Sequence, residues 1–389
     1  MASPHPSSAQ ETILPGSTLG VLGGGQLGRM FAHAAQRMGY HVGVFCQESG
    51  GPASQAADWE VVAPWDDLDA VERFAKRVDC VTLESENIPL SVVQTALRFA
   101  PVRPGARALE ISQHRIREKQ TLQQAGIEVT PFHPVQKPED MKVAAKLLGT
   151  PFILKTATMG YDGKGQRLIE SIDDADTVLQ AMGGDQWIAE KRIDLAAEVS
   201  VLVARNPSGE TACYPTFLNT HRNHILDITQ APVPTIWNQA AGEAQELALK
   251  VVELLSLDGL LCVEFFIDSS GTVMVNELAP RPHNSGHLTI NACLTSQFEQ
   301  QVRAICNLPL GDTQLLQPAA MANLLGELWQ SDQPPAWNRC LESSACWLHL
   351  YGKEKAIAGR KMGHLTAMAS DAQQAADLVV AMRERLVAK

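Results

Sequence analysis

Residues 18–99 alternate short apolar strands with helical stretches, and this pattern leaves the chain few folds to choose from. Thr18–Leu22 is an apolar strand that breaks at Gly23-Gly24-Gly25. Residues 26–38 then place Leu27, Met30, Phe31, Ala34 and Met38 at helical spacing, and Gly39 ends the helix. His41–Cys46 and Asp58–Ala63 are the next strands, followed by a helix near 66–77, an apolar strand at Asp79–Leu83 and a helix near 90–99. Parallel strands need long crossovers and antiparallel ones do not, so this order predicts an α/β unit with a parallel sheet and helices on both faces.

The later pattern is mixed, making the chain α+β overall. Residues 112–125 predict an amphipathic basic helix carrying Arg115, Arg117 and Lys119, with Ser112 as N-cap and Gly126 just past its end. A smaller group follows: a helix near 138–148, strand Phe152–Thr156, a Gly-rich loop at 160–165, a helix near 173–182 and strand Gln186–Lys191. Beyond it, strands are expected near 197–204, 210–217, 259–267, 273–278, 344–350 and 364–369. Helices are expected near 239–255 and 296–306, and from 371 onward. With 389 residues there is room for two or three domains. The expected division is a flexible leader at 1–16, a Rossmann-like domain at 17–126, a small central domain at 127–195 and a larger mixed domain at 196–389.

Composition narrows the function. A net charge of −11 argues against non-specific nucleic-acid binding, which wants a basic face. No run approaches 18 apolar residues, so no membrane span is expected. Residues 1–16 are polar, rich in Ser and Pro, and have no apolar core of a signal peptide. The eight Cys are scattered without a C-x-x-C pair and read as small buried hydrophobes, which predicts a reducing, cytoplasmic setting.

Chemistry is concentrated in four places. Strands Val263–Ile267 and Val273–Val275 each bring one carboxylate, Glu264 and Glu277, and neighbouring strands that do so make a cage of hard oxygen ligands suited to Mg²⁺. After Asn276-Glu277 comes Leu278-Ala279-Pro280-Arg281-Pro282-His283-Asn284-Ser285-Gly286-His287, an ending that packing alone does not require. His283 and His287 are four apart, but Pro282 and Gly286 disfavour the helix a zinc pair would need. Gly23-Gly24-Gly25-Gln26-Leu27-Gly28 fits G-x-G-x-x-G, with Glu48 twenty residues beyond Gly28, so a dinucleotide, some other anion at the helix N-terminus, or simply a tight turn all fit. Lys155 ends a strand shortly before Gly160-Tyr161-Asp162-Gly163-Lys164-Gly165-Gln166, whose N–H groups can fold over phosphates; the G-K-[ST] ending of a Walker loop is absent. Strand Ile188–Ile193 offers backbone to an adenine edge, and Glu198 offers a carboxylate to ribose hydroxyls.

Together these residues resemble the ATP-grasp enzymes and, more narrowly, the N5-carboxyaminoimidazole ribonucleotide synthetases. The likeness runs from about residue 17 to the end. It rests on Gly23–Met30, Glu84-Ser85-Glu86-Asn87-Ile88-Pro89, Gly160–Gln166, Asn276–His287 and Gly359-Arg360-Lys361-Met362-Gly363-His364-Leu365. The resemblance implies an ATP-grasp fold with an N-terminal pre-ATP-grasp domain. It implies carboxylation of 5-aminoimidazole ribonucleotide by ATP and bicarbonate through carboxyphosphate, with Mg²⁺, a homodimer, and a product passed to the mutase of the same pathway. It implies ATP contacts at Arg115, Lys155, 160–166, Glu190, Lys191, Arg192, Ile193, Glu198, His221, Asn276 and Glu277, and Mg²⁺ ligands at Glu264 and Glu277. The aminoimidazole substrate falls to Gly25, Gln26, Leu27, Glu84, Tyr161 and Asp162, and its phosphate to Lys353 and Arg360. Arg281 and His283 fall near bicarbonate, with Arg281 able to hold it by two parallel hydrogen bonds, and Asp162 or His283 is the candidate base. One departure is local: Lys353–Gly359 lacks the Arg-Pro found before Gly-Arg-Lys in relatives. A formate-dependent ligase acting on glycinamide ribonucleotide, an NAD(P)-binding oxidoreductase and a non-catalytic nucleotide sensor are the rival readings.

Overall fold

The structure is a computed structural model that describes residues 11–160, 165–173, 175–329 and 335–387. Its strands form three sheets. The first contains β1 (Thr18–Leu22), β2 (His41–Cys46), β3 (Trp59–Val62) and β4 (Cys80–Leu83), all parallel, in the order β3-β2-β1-β4. The predicted parallel unit is therefore present, with two strand ranges matching the expectation residue for residue. Helix Gln26–Arg37 turns Leu27, Met30 and Phe31 onto one face of this sheet, while helices Leu68–Ala75 and Leu90–Ala96 cover the other.

The second sheet joins β5 (Phe132–Val135), β6 (Phe152–Thr156), β7 (Gln166–Ile169) and β8 (Trp187–Lys191) in the order β5-β8-β6-β7. Helices Pro138–Leu148 and Ala175–Met182 pack on it through Met141, Ala144 and Leu179.

The third sheet has nine strands. These are β9 (Leu195–Arg205), β10 (Thr211–Cys213), β11 (Phe217–Arg222), β12 (Ile225–Ala231), β13 (Gly259–Asp268), β14 (Val273–Ala279), β15 (Ala319–Leu325), β16 (Cys346–Leu350) and β17 (Lys361–Met368). The order is β14-β13-β9-β11-β12-β15-β17-β16, with β10 on β9. Helix Asn238–Leu255 buries Ala244, Ala248, Val251 and Val252 against one face, over Val201, Val263 and Val275.

The differences from the sequence reading have local causes. Strands β5, β7, β11, β12 and β15 were not expected, and the stretch 210–217 splits because Tyr214-Pro215-Thr216 intervenes between β10 and β11, where Pro cannot donate to a ladder. Ser112 is not an N-cap. It ends a separate helix, Ala106–Ser112, and its hydroxyl bonds back to Leu109 O at 3.2 Å. The next helix is Arg115–Gln124, capped by His114, whose ring nitrogen accepts from Arg117 N at 3.4 Å; Gly126 does lie past its end, at φ +72°. Nor is this helix simply amphipathic, because Glu118 and Lys119 are both buried.

Candidate active site

Glu264 and Glu277 sit directly opposite one another in the β13–β14 ladder. Opposite residues share a face, so the two carboxylates leave the sheet side by side. The ladder shifts here: Phe265 pairs with Val275 and Glu264 with Glu277, which leaves Asn276 as an extra residue in β14. This bulge lets Val275 and Leu278 both stay in the core while two consecutive polar residues lie between them. Asn276 Oδ1 is buried and has no hydrogen-bond partner among the described residues. Two carboxylates and an orphaned amide oxygen form an all-oxygen donor set, which fits Mg²⁺.

Each carboxylate has a cationic neighbour. Glu277 Oε2 accepts from Arg115 Nη1 at 2.8 Å, and Arg115 Nη2 donates to Gly160 O at 2.9 Å. Glu264 Oε1 lies 3.0 Å from His283 Nε2. Both are partly buried, which disfavours charge, yet His283 holds Glu264 below its ordinary range, and Cys262 and Glu264 hold His283 above its own. Beneath His283 runs a chain of buried polar groups that the sequence did not signal. His283 Nδ1 is 2.8 Å from Ser285 Oγ, Ser200 Oγ donates to Ser285 Oγ at 2.7 Å, and Asn219 Nδ2 donates to Ser200 Oγ at 2.9 Å. Gln297 clasps the His283 backbone, accepting from its N at 2.9 Å and donating to its O at 2.8 Å. The expected absence of helix after Pro282 is corrected in part: Asn284–Leu288 is a 3₁₀ turn that sends His287 into the core beside Gln297.

A second charged cluster joins helix Arg115–Gln124 to the second sheet. Glu190 is buried between Lys155 Nζ, which donates to its Oε2 at 2.6 Å, and Lys119 Nζ, 3.4 Å from its Oε1. Burial alone would raise Glu190, but Lys119, Lys155 and Arg115 bring it down to about 2. Its side chain thus holds two lysines, while its backbone lies in the strand expected to face an adenine edge. Lys119 also donates to Asn276 O at 3.2 Å, tying the cluster to the bulge. Neither Lys119 nor its neighbour Glu118 was singled out for the site by sequence; a Glu-Lys pair in a basic helix reads as solvated surface.

The remaining nucleotide candidates are distributed around these clusters. Glu198 Oε2 is 2.7 Å from His221 Nδ1. Lys191 and Arg192 are exposed, and Lys191 N is engaged by Pro131 O at 2.8 Å. Ile193 is half-buried beyond the strand. Gly165 holds φ +73° where its O accepts from Thr156 N, and Gln166 Nε2 lies 3.2 Å from His224 Nδ1. Tyr161, Asp162, Gly163 and Lys164 lie outside the described residues.

A cavity of about 920 Å³ lies at the Gly-rich turn. It brings Gly25, Gln26 and Glu84 together with Lys353 and Arg360, and Thr158, Met159 and Gln113 border it too. Leu27 is not part of it; its side chain packs in the core under the first sheet. The Gly-rich turn has an unforeseen occupant. Glu84 Oε1 accepts from Gly25 N, and its Oε2 accepts from Gly28 N at 2.9 Å, so this carboxylate takes the N-terminal N–H groups of helix Gln26–Arg37. A Cβ on Gly23, at φ +119°, would lie 2.2 Å from Glu84 Cγ, and one on Gly25 2.7 Å from Glu84 Oε1. The glycines make room for the protein's own acid rather than for a pyrophosphate, which removes the dinucleotide reading of this motif. Burial raises Glu84, and the two N–H groups, Arg281 and Lys353 partly offset that.

Arg281 makes one pair of parallel bonds within the protein, with Nε donating to Glu86 Oε2 and Nη2 donating to Glu86 Oε1 at 2.8 Å.

Comparison with known proteins identifies the family. Residues 17–113 match the ribonucleotide synthetase preATP-grasp domain, 120–298 the ATP-grasp domain and 319–378 the phosphoribosylaminoimidazole carboxylase C-terminal domain. The N5-carboxyaminoimidazole ribonucleotide synthase of Bacillus subtilis (strain 168) is 40% identical over 362 residues, covering 92% of this chain and 93% of that one. The crystal structure of the Staphylococcus aureus N5-carboxyaminoimidazole synthetase complexed with ADP superposes with a TM-score of 0.90 at 36% identity, covering 97% of this chain and all of that one. The Aspergillus clavatus N5-carboxyaminoimidazole synthase, solved with ADP and 5-aminoimidazole ribonucleotide, gives a TM-score of 0.85 at 30% identity over 97% of this chain and all of that one. Matched from its first sheet to its last helix by enzymes of one name, this chain belongs to the N5-carboxyaminoimidazole ribonucleotide synthase family of ATP-grasp ligases.

Proposed function

We propose that the chain carboxylates 5-aminoimidazole ribonucleotide with bicarbonate at the expense of ATP. The observation that carries this reading is the cross-strand pair Glu264–Glu277, opened by the bulge at Asn276; a separate cavity is lined by Glu84, Lys353 and Arg360. Relatives solved with ADP, and one with both ADP and the aminoimidazole ribonucleotide, support the same assignment of substrates.

In this reading a bicarbonate oxygen attacks the γ-phosphorus of ATP, and ADP leaves with the electrons of the broken bond. The exocyclic amine of the aminoimidazole then attacks the carboxyl carbon of carboxyphosphate. The carbon–oxygen bond to phosphorus breaks, phosphate departs, and the amine proton is lost. Arg115 and Lys155 supply fixed positive charge where phosphate charge develops, and Glu190 and Glu277 hold those cations in place. Glu264, Glu277 and Asn276 would hold Mg²⁺, which supplies charge neutralisation to the phosphate oxygens when bound. Lys353 and Arg360 line the cavity and suit the ribose phosphate. A homodimer, a cytoplasmic location and transfer of the labile carbamate to a mutase belong to the same proposal; no helix among the described residues is long and apolar enough to cross a membrane.

Coupled ADP release with each substrate omitted in turn tests the proposal. Full turnover is expected only with ATP, bicarbonate and 5-aminoimidazole ribonucleotide together. Brisk ADP release with formate and glycinamide ribonucleotide would instead assign the chain to the sister ligase.

A further inference from the structure

Glu86 lies in the turn after β4, and Arg281 follows β14, so their bidentate contact bridges 195 positions of chain and joins the first sheet to the third. Both side chains are more than four-fifths buried. A guanidinium has five N–H groups. Glu86 takes two of them, on Nε and Nη2, and Pro282 O takes one from Nη1 at 3.1 Å. The Glu86 turn is itself braced, since Gln113 Nε2 donates to Glu86 O at 2.8 Å and to Ile88 O at 2.6 Å.

We infer that Glu86 is a positioning residue for the small oxyanion substrate: it clamps one edge of Arg281 so that the guanidinium is fixed and its remaining N–H groups are kept for bicarbonate. This rests on the proposed function, in which Arg281 anchors that anion. The planar fork explains the residue types. A carboxylate matches the Nε–Nη2 edge with two parallel charge-assisted bonds, and those bonds set the plane in which a second carboxylate-like anion can be received. An unclamped arginine would have to give up side-chain freedom each time the anion bound. The clamp also lowers the net charge of the pocket, so the site takes a monoanion rather than drawing in polyanions from the neighbouring phosphate region.

The test is steady-state kinetics on the full chain with bicarbonate varied at saturating ATP and 5-aminoimidazole ribonucleotide. Glu86→Gln is expected to raise the KM for bicarbonate by about 10-fold or more, with much smaller changes in the KM values for the other two substrates. Glu86→Asp, which keeps the charge, is expected to recover part of that loss. In an Arg281→Gln background the Glu86→Gln change should add little, because the group it positions is gone. A merely structural Glu86 would lower the melting temperature without a selective effect on bicarbonate, and that result would overturn the inference. If Arg281→Gln alone leaves the bicarbonate KM unchanged, the anchoring role of Arg281 fails instead. Should Glu86→Gln not fold, Glu86→Asp carries the test, and an unchanged bicarbonate KM there with ADP binding intact would count against the clamp.

Discussion

At the scale of single residues, the site is a set of charges that hold one another. Glu277 both faces Glu264 and fixes Arg115, so Glu277→Gln should cost catalysis far more than stability. Turnover is expected to fall by about 10²–10³, the usual cost of removing a charge aimed at a transition state, while the thermal melt stays near that of the parent. Coupled ADP release and a melting curve check both halves. Gly23 answers the opposite question, because it carries no chemistry of its own. Gly23→Ala puts a Cβ 2.2 Å from Glu84 Cγ at a φ of +119°, so a loss of about 2 kcal/mol or more is expected, read from urea unfolding. The facing carboxylates Glu264 and Glu277 are legible from residue type and strand pattern, whereas Lys353 and Arg360 are picked out only by the family resemblance. The partners are not legible in either way. Nothing near Glu84 in sequence says that its carboxylate fills the Gly-rich turn 59 positions earlier, and nothing near Arg281 points to Glu86. Those contacts are set by how sheets meet, which local pattern does not encode.

At the scale of elements, burial accounts for only part of what is legible, since β15 is buried over 319–324 and still was not expected. Strands β2 and β6 are near-continuous apolar runs and were visible to the residue. Strands β5, β7 and β11 were missed because their residues are largely polar or interrupted by Pro134, and tertiary pairing rather than propensity makes them strands. The bulge at Asn276 was invisible for a related reason: one extra residue leaves no compositional mark, yet it determines how Asn276 and Glu277 are presented. Helix Arg115–Gln124 is the most instructive case. Its Lys119 is buried among Glu190, Asn276 O and Glu118, so the helix docks by charge pairing as well as through the buried Ile116 and Leu122. Lys119→Met should leave Glu190 with Lys155 as its remaining close cation and destabilise the chain by about 3 kcal/mol. Equilibrium denaturation measures this, and a neutral or stabilising result would mean that the methionine packs well enough to replace the pair. Adding Glu190→Gln to Lys119→Met should recover part of the loss, because the buried charge left behind is then removed.

At the scale of the whole molecule, three histidines from three separate segments meet beneath the site and couple its stability to pH. His349 stacks on His364 with ring centroids 4.4 Å apart, and His287 lies 4.9 Å from His364. Tyr351 Oη is 2.9 Å from His364 Nδ1, Gln297 Nε2 is 2.9 Å from His287 Nδ1, and Asn291 Oδ1 is 2.8 Å from His349 Nε2. Burial is the main cause that depresses all three, His349 to about 4 and the other two well below their ordinary range, and the cationic His283, Lys361 and Arg281 nearby add to the effect on His287. Because these histidines stay neutral when folded and charge when unfolded, the unfolded chain binds more protons below pH 6.5 and stability falls with pH from there. Each contributes a loss of about 1 kcal/mol between pH 6.5 and 5.5, so the three together contribute about 3 kcal/mol. His221 is raised by Glu198, and His283 by Cys262 and Glu264, despite partial burial; their contribution is lost as pH rises above 6.5, so they do not oppose the trend below it. Glu84 and Glu118, raised mainly by burial, do pull the other way. The decisive measurement is therefore a difference. His349→Phe keeps a ring against His364 but cannot titrate, and its loss of stability between pH 6.5 and 5.5 should be smaller than the parent's by about 1 kcal/mol. Equal losses in urea midpoints for the two proteins would show that the stacked histidines are not what makes the fold sensitive to acid.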